Sequence, residues 1–323
     1  MIVSFILNLQ NLIKYIIIGF NEGVIMNTIN ISKNKYKSLN NVKIDKNVFN
    51  TEAKIYIFDF RGQEKILKKL YDLEGSYFAH KLYTIEMLDY YKKYIPDSLC
   101  IPDNLVSVNN KIIGFSLPKI NGINFATILN SEKVDYKEKI YYFKAIGTLL
   151  NQLKSIRKYT ELKEFYLNDL HESNFMVDPC KRDIKAVDLD SCRIFNNGCF
   201  VSRFLGPNDF ICNKPFKYNY NDNISNGKGF VIANENSDLY CYVVMILNYL
   251  FNGSVTRMRE EKFYDYLNYL DILGFNKNLI NCFEKIILNC DNSNPVDYLD
   301  TLTESNINGA KEKIYMLNKI RSD

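Results

Sequence analysis

Hydrophobic and polar positions alternate from Lys54 onward in two runs, "AKIYIFDF" and "EKILKKLY", separated by Arg61-Gly62, a pattern that predicts a β-hairpin. The period then changes. In "SYFAHKLYTIEMLDYYKKYI", Phe78, Leu82, Ile85 and Leu88 recur at helical spacing, and Pro96 ends the run. Two further strands, "NLVSVNN" and "KIIGFSLPKI", meet at an Asn109-Asn110 turn. From Gly122 helical patterns take over. "YKEKIYYFKAIGTLLNQLKSI" is amphipathic, and "SDLYCYVVMILNYLFNG" is apolar nearly all round, which predicts a buried central helix capped by Ser237 or Asp238. "EEKFYDYLNYLDIL" and "NKNLINCFEKIILNC" read as two more helices, and an irregular stretch rich in Asn and Gly follows Asp190. The predicted class is α+β, with a small antiparallel sheet and one helix over residues 36–120, then a larger, mainly helical part over 121–323.

One segment breaks this pattern. "YLNDLHESNFMVD", residues 166–178, is polar in its middle and apolar at both ends, which predicts a polar loop pinned between two buried strands. It carries Asp169, His171 and Asn174, and a nearby strand, "IKAV", ends at Asp188. Asn174 and Asp188 are hard oxygen ligands of the kind Mg²⁺ takes, Asp169 is a carboxylate suited to accept a hydroxyl proton, and Lys68 in "KILK" supplies a point charge. A polyphosphate bound to Mg²⁺ needs such a set: a cation, metal ligands and a positioned base. Each residue also has a plainer reading. Asp169 and Asn174 can belong to a solvated turn, Asp188 and Asp190 to another, Glu86 to an exposed helix face, and Lys68 can snorkel like Lys65 and Lys69 beside it.

Composition removes other classes. With 323 residues, 47% of them hydrophobic, the chain can bury one large or two medium cores. A net charge of +4 without a basic block gives no reason to expect a nucleic-acid partner. Two histidines, His80 and His171, are too few for a multi-histidine metal site. Eight scattered cysteines with no CxxC read as reduced thiols, hence a cytoplasmic expectation. The apolar opening "MIVSFILNLQNLIKYIIIGF" is interrupted by Asn8, Gln10, Asn11 and Lys14 and offers no small-residue cleavage site. Residues 1–25 read as upstream sequence before a start at Met26, Glu22-Gly23 being encodable as a ribosome-binding stretch. A weak membrane anchor is the alternative, and membrane contact is expected only if those residues belong to the protein.

The order of these elements and motifs resembles the protein kinase fold over about residues 36–300. Leu167-Asn168-Asp169 stands where that family has H-R-D, and Asn174 has the family's offset from the aspartate. Asp188-Leu189-Asp190 resembles D-F-G, Lys68 the strand lysine that reaches the phosphates, Glu86 in "LYTIEML" the helix glutamate that pairs with it, and Asp238 the buried aspartate that props the catalytic loop. The resemblance implies a two-lobed kinase-like architecture, ATP and Mg²⁺ as cofactors, Asp169, Lys68, Glu86 and His171 as catalytic residues, and Asn174 and Asp188 as metal ligands. It also implies nucleotide contacts at Lys68, Thr51, Glu52, Ala53, Lys119 and Ile120.

The departures steer the choice of substrate. "DKNVFNTEAKIYIF" has no glycine where the family has a glycine-rich loop, Asn168 replaces the arginine of H-R-D, and no A-P-E is evident. "DLHESN" is closer to the D-L-H-x-x-N of aminoglycoside, choline and atypical kinases. Transfer of the ATP γ-phosphate to a hydroxyl, on a protein serine or threonine, is the leading expectation. A small-molecule kinase and a nucleotide-binding pseudokinase scaffold are the alternatives.

Overall fold

The computed structural model describes residues 26–41, 52–194, 201–202, 231–252, 260–289 and 291–319. The reading of residues 1–25, the Thr51 nucleotide contact and most of the stretch after Asp190 lie outside the described residues. The chain divides into two compact units, Met1–Gly122 with Lys185–Asn197, and Ile123–Ile184 with Gly198–Asp323. Described within these are a small, largely antiparallel sheet and several helices, an α+β content. The short segment Lys185–Asn197 belongs with the first unit, not with the part of the chain that surrounds it.

In the first unit the elements run β1 (Thr28–Ile31), α1 (Lys33–Lys37), β2 (Asn40–Asn41), β3 (Ala53–Phe60), β4 (Gln63–Leu70), α2 (Gly75–Tyr90), β5 (Asn104–Val108) and β6 (Lys111–Pro118). They form one sheet in the order β1-β5-β6-β4-β3-β2, antiparallel except where β1 joins β5 in parallel. Both hairpin turns are built as the sequence predicts. Arg61 and Gly62 sit at φ 56° and 78°, and Asn109 and Asn110 at 50° and 61°, the two successive positive values of a turn whose twist matches its strands. The alternation along β4 divides the sheet into two apolar faces. Leu70 and Ile66 join Ala53, Phe115 and Leu117 against Phe78, Leu82 and Ile85 of α2. Leu67 turns the other way, to Ile29, Ile31, Phe58 and Val106. β1 and α1 were not anticipated: a four-residue strand is too short to show a period, and its partner β5 lies far along the chain.

The second unit holds β7 (Ile123–Asn124), α3 (Phe125–Asn130), α4 (Tyr136–Tyr159), β8 (Phe165–Tyr166), β9 (Phe175–Asp178), the first half of β10 (Asp183–Ala186), α5 (Glu235–Phe251), α6 (Glu260–Ile272), α7 (Lys277–Asn289) and α8 (Glu304–Lys319). β9 lies between β7 and β10, and α5 is buried over almost its whole length. Gly147 on α4 admits the ring of Tyr242 from α5, whose hydroxyl donates to the Phe143 carbonyl at 2.7 Å; a Cβ at Gly147 would lie 2.6 Å from that hydroxyl. The cap of α5 differs from the expected Ser237 or Asp238. Asn234 is the N-cap, and Ser237 returns a side-chain bond to it, a capping box that begins the helix one turn earlier. Asp238 is thereby inside the first turn, with its carboxylate available for another task. Among the described residues no helix is long and apolar enough to cross a membrane.

Candidate functional site

Lys68 owes its position to the two faces of β4. Its neighbours in register are Ile55 on β3 and Phe115 on β6, and its parity puts it on the α2 side of the sheet, where it is buried. Lys65 and Lys69 have the opposite parity, and Lys65 pairs with Asp103. β6 comes close at this point: a Cβ on Gly114 would fall on the Lys68 carbonyl oxygen, so only glycine lets the strand pass. A buried ammonium needs a counter-charge, and the segment after β10 brings two. Cys100 donates its amide to the Ala186 carbonyl, and the Ala186 amide donates to the Ser98 carbonyl, both at 2.8 Å. Val187 packs into the α2-side core, and the chain then turns through Asp188 in the left-handed region, φ 65° and ψ 45°.

That turn aims two carboxylates at Lys68. Its ammonium donates to Asp188 Oδ1 and, at 2.7 Å, to Asp190 Oδ1. Asp190 Oδ2 accepts from Lys81 of α2 at 2.6 Å, and Lys81 also pairs with Glu52, just before β3, at 2.9 Å. The Asp190 side chain is 0% exposed and that of Asp188 36%. The charges respond accordingly. Burial alone would lower the Lys68 ammonium, but Asp188 and Asp190 outweigh it and push it up to about 12. Burial would raise Asp190, yet Lys68, the bond with Asp188 and Lys81 together hold it well below the usual carboxylate range. Asp188 goes the other way: burial, with the Asp190 charge beside it, pushes its carboxyl up to about 7 against the pull of Lys68.

In the second unit the polar loop is held through its backbone. Asn168 turns at φ 65°, and the Asp169 amide donates to the Leu167 carbonyl at 2.7 Å across it. A non-glycine residue there costs about 1–3 kcal/mol unless its surroundings enforce it. Asp238 enforces it: its two carboxylate oxygens accept the amides of Leu167 at 2.8 Å and Asn168 at 2.9 Å, the contact the resemblance implies. Burial raises the Asp238 carboxyl to about 6 although both amides pull it down. Arg157 of α4 braces the same region, donating to the Phe165 carbonyl and to Glu235 at the start of α5, each at 3.0 Å. Asn174 closes the loop by donating from Nδ2 to the Asp169 carbonyl at 2.8 Å and to its carboxylate at 3.2 Å. His171 Nδ1 accepts the Ser173 amide at 3.2 Å, and its Nε2 lies 3.7 Å from Asp169 Oδ1.

Of the residues singled out by sequence, Lys68 and Asp188 meet in one cluster, and Asp169, His171 and Asn174 share one loop. Glu86 does not join Lys68. It is half-buried, burial raises its carboxyl, and it makes no ion pair among the described residues. The carboxylates that Lys68 meets are instead Asp188 and Asp190. Glu52 meets Lys81, and Ala53 is buried in the sheet. Lys119 pairs with Glu64 at 2.6 Å, and Ile120 packs on the α2-side core. Lys81 and Gly114 were missed, and Asp190, noted only beside Asp188, was not expected as a partner of Lys68. Lys81 had a signal: it interrupts the apolar stripe Phe78-Leu82-Ile85-Leu88, where a lysine is out of place unless paired.

Among the described residues no group of three or more His, Cys, Asp or Glu side chains could hold a metal ion, and each unit offers its own polar groups. In the first unit a buried cation stands beside a carboxylate that keeps about a third of its surface exposed. In the second, Asn174 spends its Nδ2 on Asp169, and its Oδ1 has no hydrogen bond among the described residues. No protein-family model matches the chain, and no curated protein matches it in sequence.

Proposed function

We propose that the protein is an ATP- and Mg²⁺-dependent phosphotransferase of kinase-like architecture, moving the γ-phosphate of ATP to a hydroxyl acceptor, with a protein serine or threonine as the leading substrate class. One observation carries this reading. Lys68 and Asp188, singled out as the phosphate cation and a metal ligand, form an ion pair although they lie 120 residues apart along the chain. When bound, Mg²⁺ neutralises charge on the phosphate oxygens. Within the first unit Lys68 would contribute a fixed positive charge and Asp188 a hard oxygen ligand; within the second, Asn174 would offer a hard oxygen and Asp169 would accept the hydrogen bond of the attacking hydroxyl and orient it. The backbone bonds from Asp238 keep Asp169 in place, so little reorganisation is left for the reaction itself.

Asp169→Asn tests the reading. It removes the acceptor charge and leaves the Lys68–Asp188 cluster and the bond from Asn174 to the Asp169 carbonyl in place, so ATP affinity should stay within about twofold while turnover falls by about 10² or more. Affinity by calorimetry and turnover by radiolabelled phosphate transfer, measured separately on the full chain, give the two numbers. Unchanged turnover in this variant would sink the proposal. A panel containing generic proteins and small alcohols separates the protein-kinase reading from the small-molecule one.

A further inference from the structure

The charged cluster of the first unit contains a residue with no part in the roles above. Lys81 sits on α2 in the stripe of Phe78, Leu82, Ile85 and Leu88, among apolar side chains of the α2-side core. Its side chain is 4% exposed. An ammonium placed there loses its hydration and persists only where carboxylates compensate it. The compensation is specific. Asp190 divides its two oxygens, Oδ1 to Lys68 at 2.7 Å and Oδ2 to Lys81 at 2.6 Å, and has no exposed side-chain surface. Asp188, on the same lysine, keeps about a third of its surface in contact with solvent.

We infer that Lys81, and not Glu86, is the α2 residue that positions Lys68, that it acts through Asp190, and that Asp188 is the one carboxylate of the pair that exchanges Lys68 for an incoming ligand. Asp190 is gripped from both sides, so it holds the Lys68 ammonium in a fixed place whether or not Asp188 stays with it. The bond from Lys81 to Glu52 adds a second tie, from α2 to the start of β3. A shift of α2 that draws Lys81 back would leave Asp190 with one cation and free it to pull Lys68 inward. Lys81 is thus a positioning residue. Its value for phosphate binding rests on the phosphotransferase reading; its coupling to Lys68 does not.

Two measurements on the full chain keep these apart. The first is urea unfolding of Lys68→Met, Lys81→Met, Glu86→Gln and the two double variants containing Lys68→Met. With both lysines gone Asp190 is stranded, so the Lys68→Met/Lys81→Met midpoint should fall by more than the two single shifts together, whereas Lys68→Met/Glu86→Gln should be additive. If the double variant does not fold, adding Asp190→Asn removes the stranded charge and should restore folding. Additivity for Lys68 and Lys81, or failure of Asp190→Asn to restore folding, overturns the inference. The second is Mg·ATP binding, read as a thermal shift. Lys81→Met should weaken it by about tenfold, the scale for removing a supporting partner of a binding group, Lys81→Arg should recover most of it, and Glu86→Gln should change it by less than about twofold. Equal losses from Lys81→Met and Glu86→Gln would assign the role to both residues and overturn the claim for Lys81. If the wild type binds no Mg·ATP at all, the phosphotransferase reading falls, and the unfolding measurement still decides the coupling of Lys81 to Lys68.

Discussion

In the first unit, charge holds charge: two lysines and two aspartates fix one another by their side chains, three of them almost without solvent. In the second, one buried carboxylate holds main chain, and Asp238 accepts the amides of Leu167 and Asn168 while the catalytic candidate Asp169 is left half-buried next to them. The difference sets what a substitution does. A side-chain cluster transmits the loss of one charge to every other member, because each is part of another's counter-charge. A backbone clamp confines the loss to the turn it holds, and the residue it presents can be changed without loosening it.

Asp190→Ala should have the largest effect, because it leaves Lys68 and Lys81 facing each other in the core. Breaking such a pair costs about 3–5 kcal/mol, read as a fall in the free energy of urea unfolding; a cost near 1 kcal/mol, the range of exposed pairs, would mean that water reaches the cluster. Asp238→Asn should come next. The amide carbonyl can accept only one of the two backbone bonds and turns an N–H toward the other donor, which costs about 1–3 kcal/mol. Limited proteolysis should then find the 167–170 turn opened. If it stays closed, Arg157 and Asn174 suffice to hold it.

The two regions should also answer pH with opposite slopes. Burial raises Asp238 from 3.8 to about 6, so the folded state holds that proton more tightly than the unfolded chain. Its contribution is complete below the unfolded value and is lost as pH rises through about 6. The stability gap between wild type and Asp238→Asn should therefore narrow on going from about pH 4 to pH 6. Asp190 is held below its ordinary range, so its contribution is present above the unfolded value of 3.8 and is lost as pH falls. The gap to Asp190→Asn should widen as pH rises through the ordinary carboxylate range. Unfolding titrations at a series of pH values compare the two, and slopes of the same sign would undo the contrast. The smallest stability effect belongs to Asp188→Asn, under about 1 kcal/mol, since the side chain is partly solvated and Lys68 keeps Asp190. The same variant should lose most of any Mg²⁺-dependent thermal shift with ATP, which separates the ligand carboxylate from the structural one.

Much of this could be read along the chain. The strand and helix periods gave Ala53–Phe60 and the later helices to within a few residues, since an amphipathic face is a local pattern repeated many times. Asp169 and Asn174 stood out because a polar loop between apolar strands is visible without any knowledge of packing. Choosing Lys68 over Lys65 and Lys69 rested on its place after "IL" in the resemblance to the family's strand lysine; that the other two face the opposite side is shown by the strand register. Tertiary structure decided the rest. Whether Lys68 meets Glu86 or Asp190 depends on where a segment more than a hundred residues later is tied, and those ties are backbone bonds from Cys100 and Ala186 that no side-chain pattern announces. The N-cap of the central helix was misplaced for a related reason: Ser237 and Asp238 are both good caps by type, and the choice fell to Asn234 because Ser237 serves as its partner within the box and Asp238 faces the turn at Asn168. Pattern and residue type thus singled out the candidate residues. The pairing of buried charges was left to the fold, because an ion pair is set by distance in space and the chain records only distance along itself.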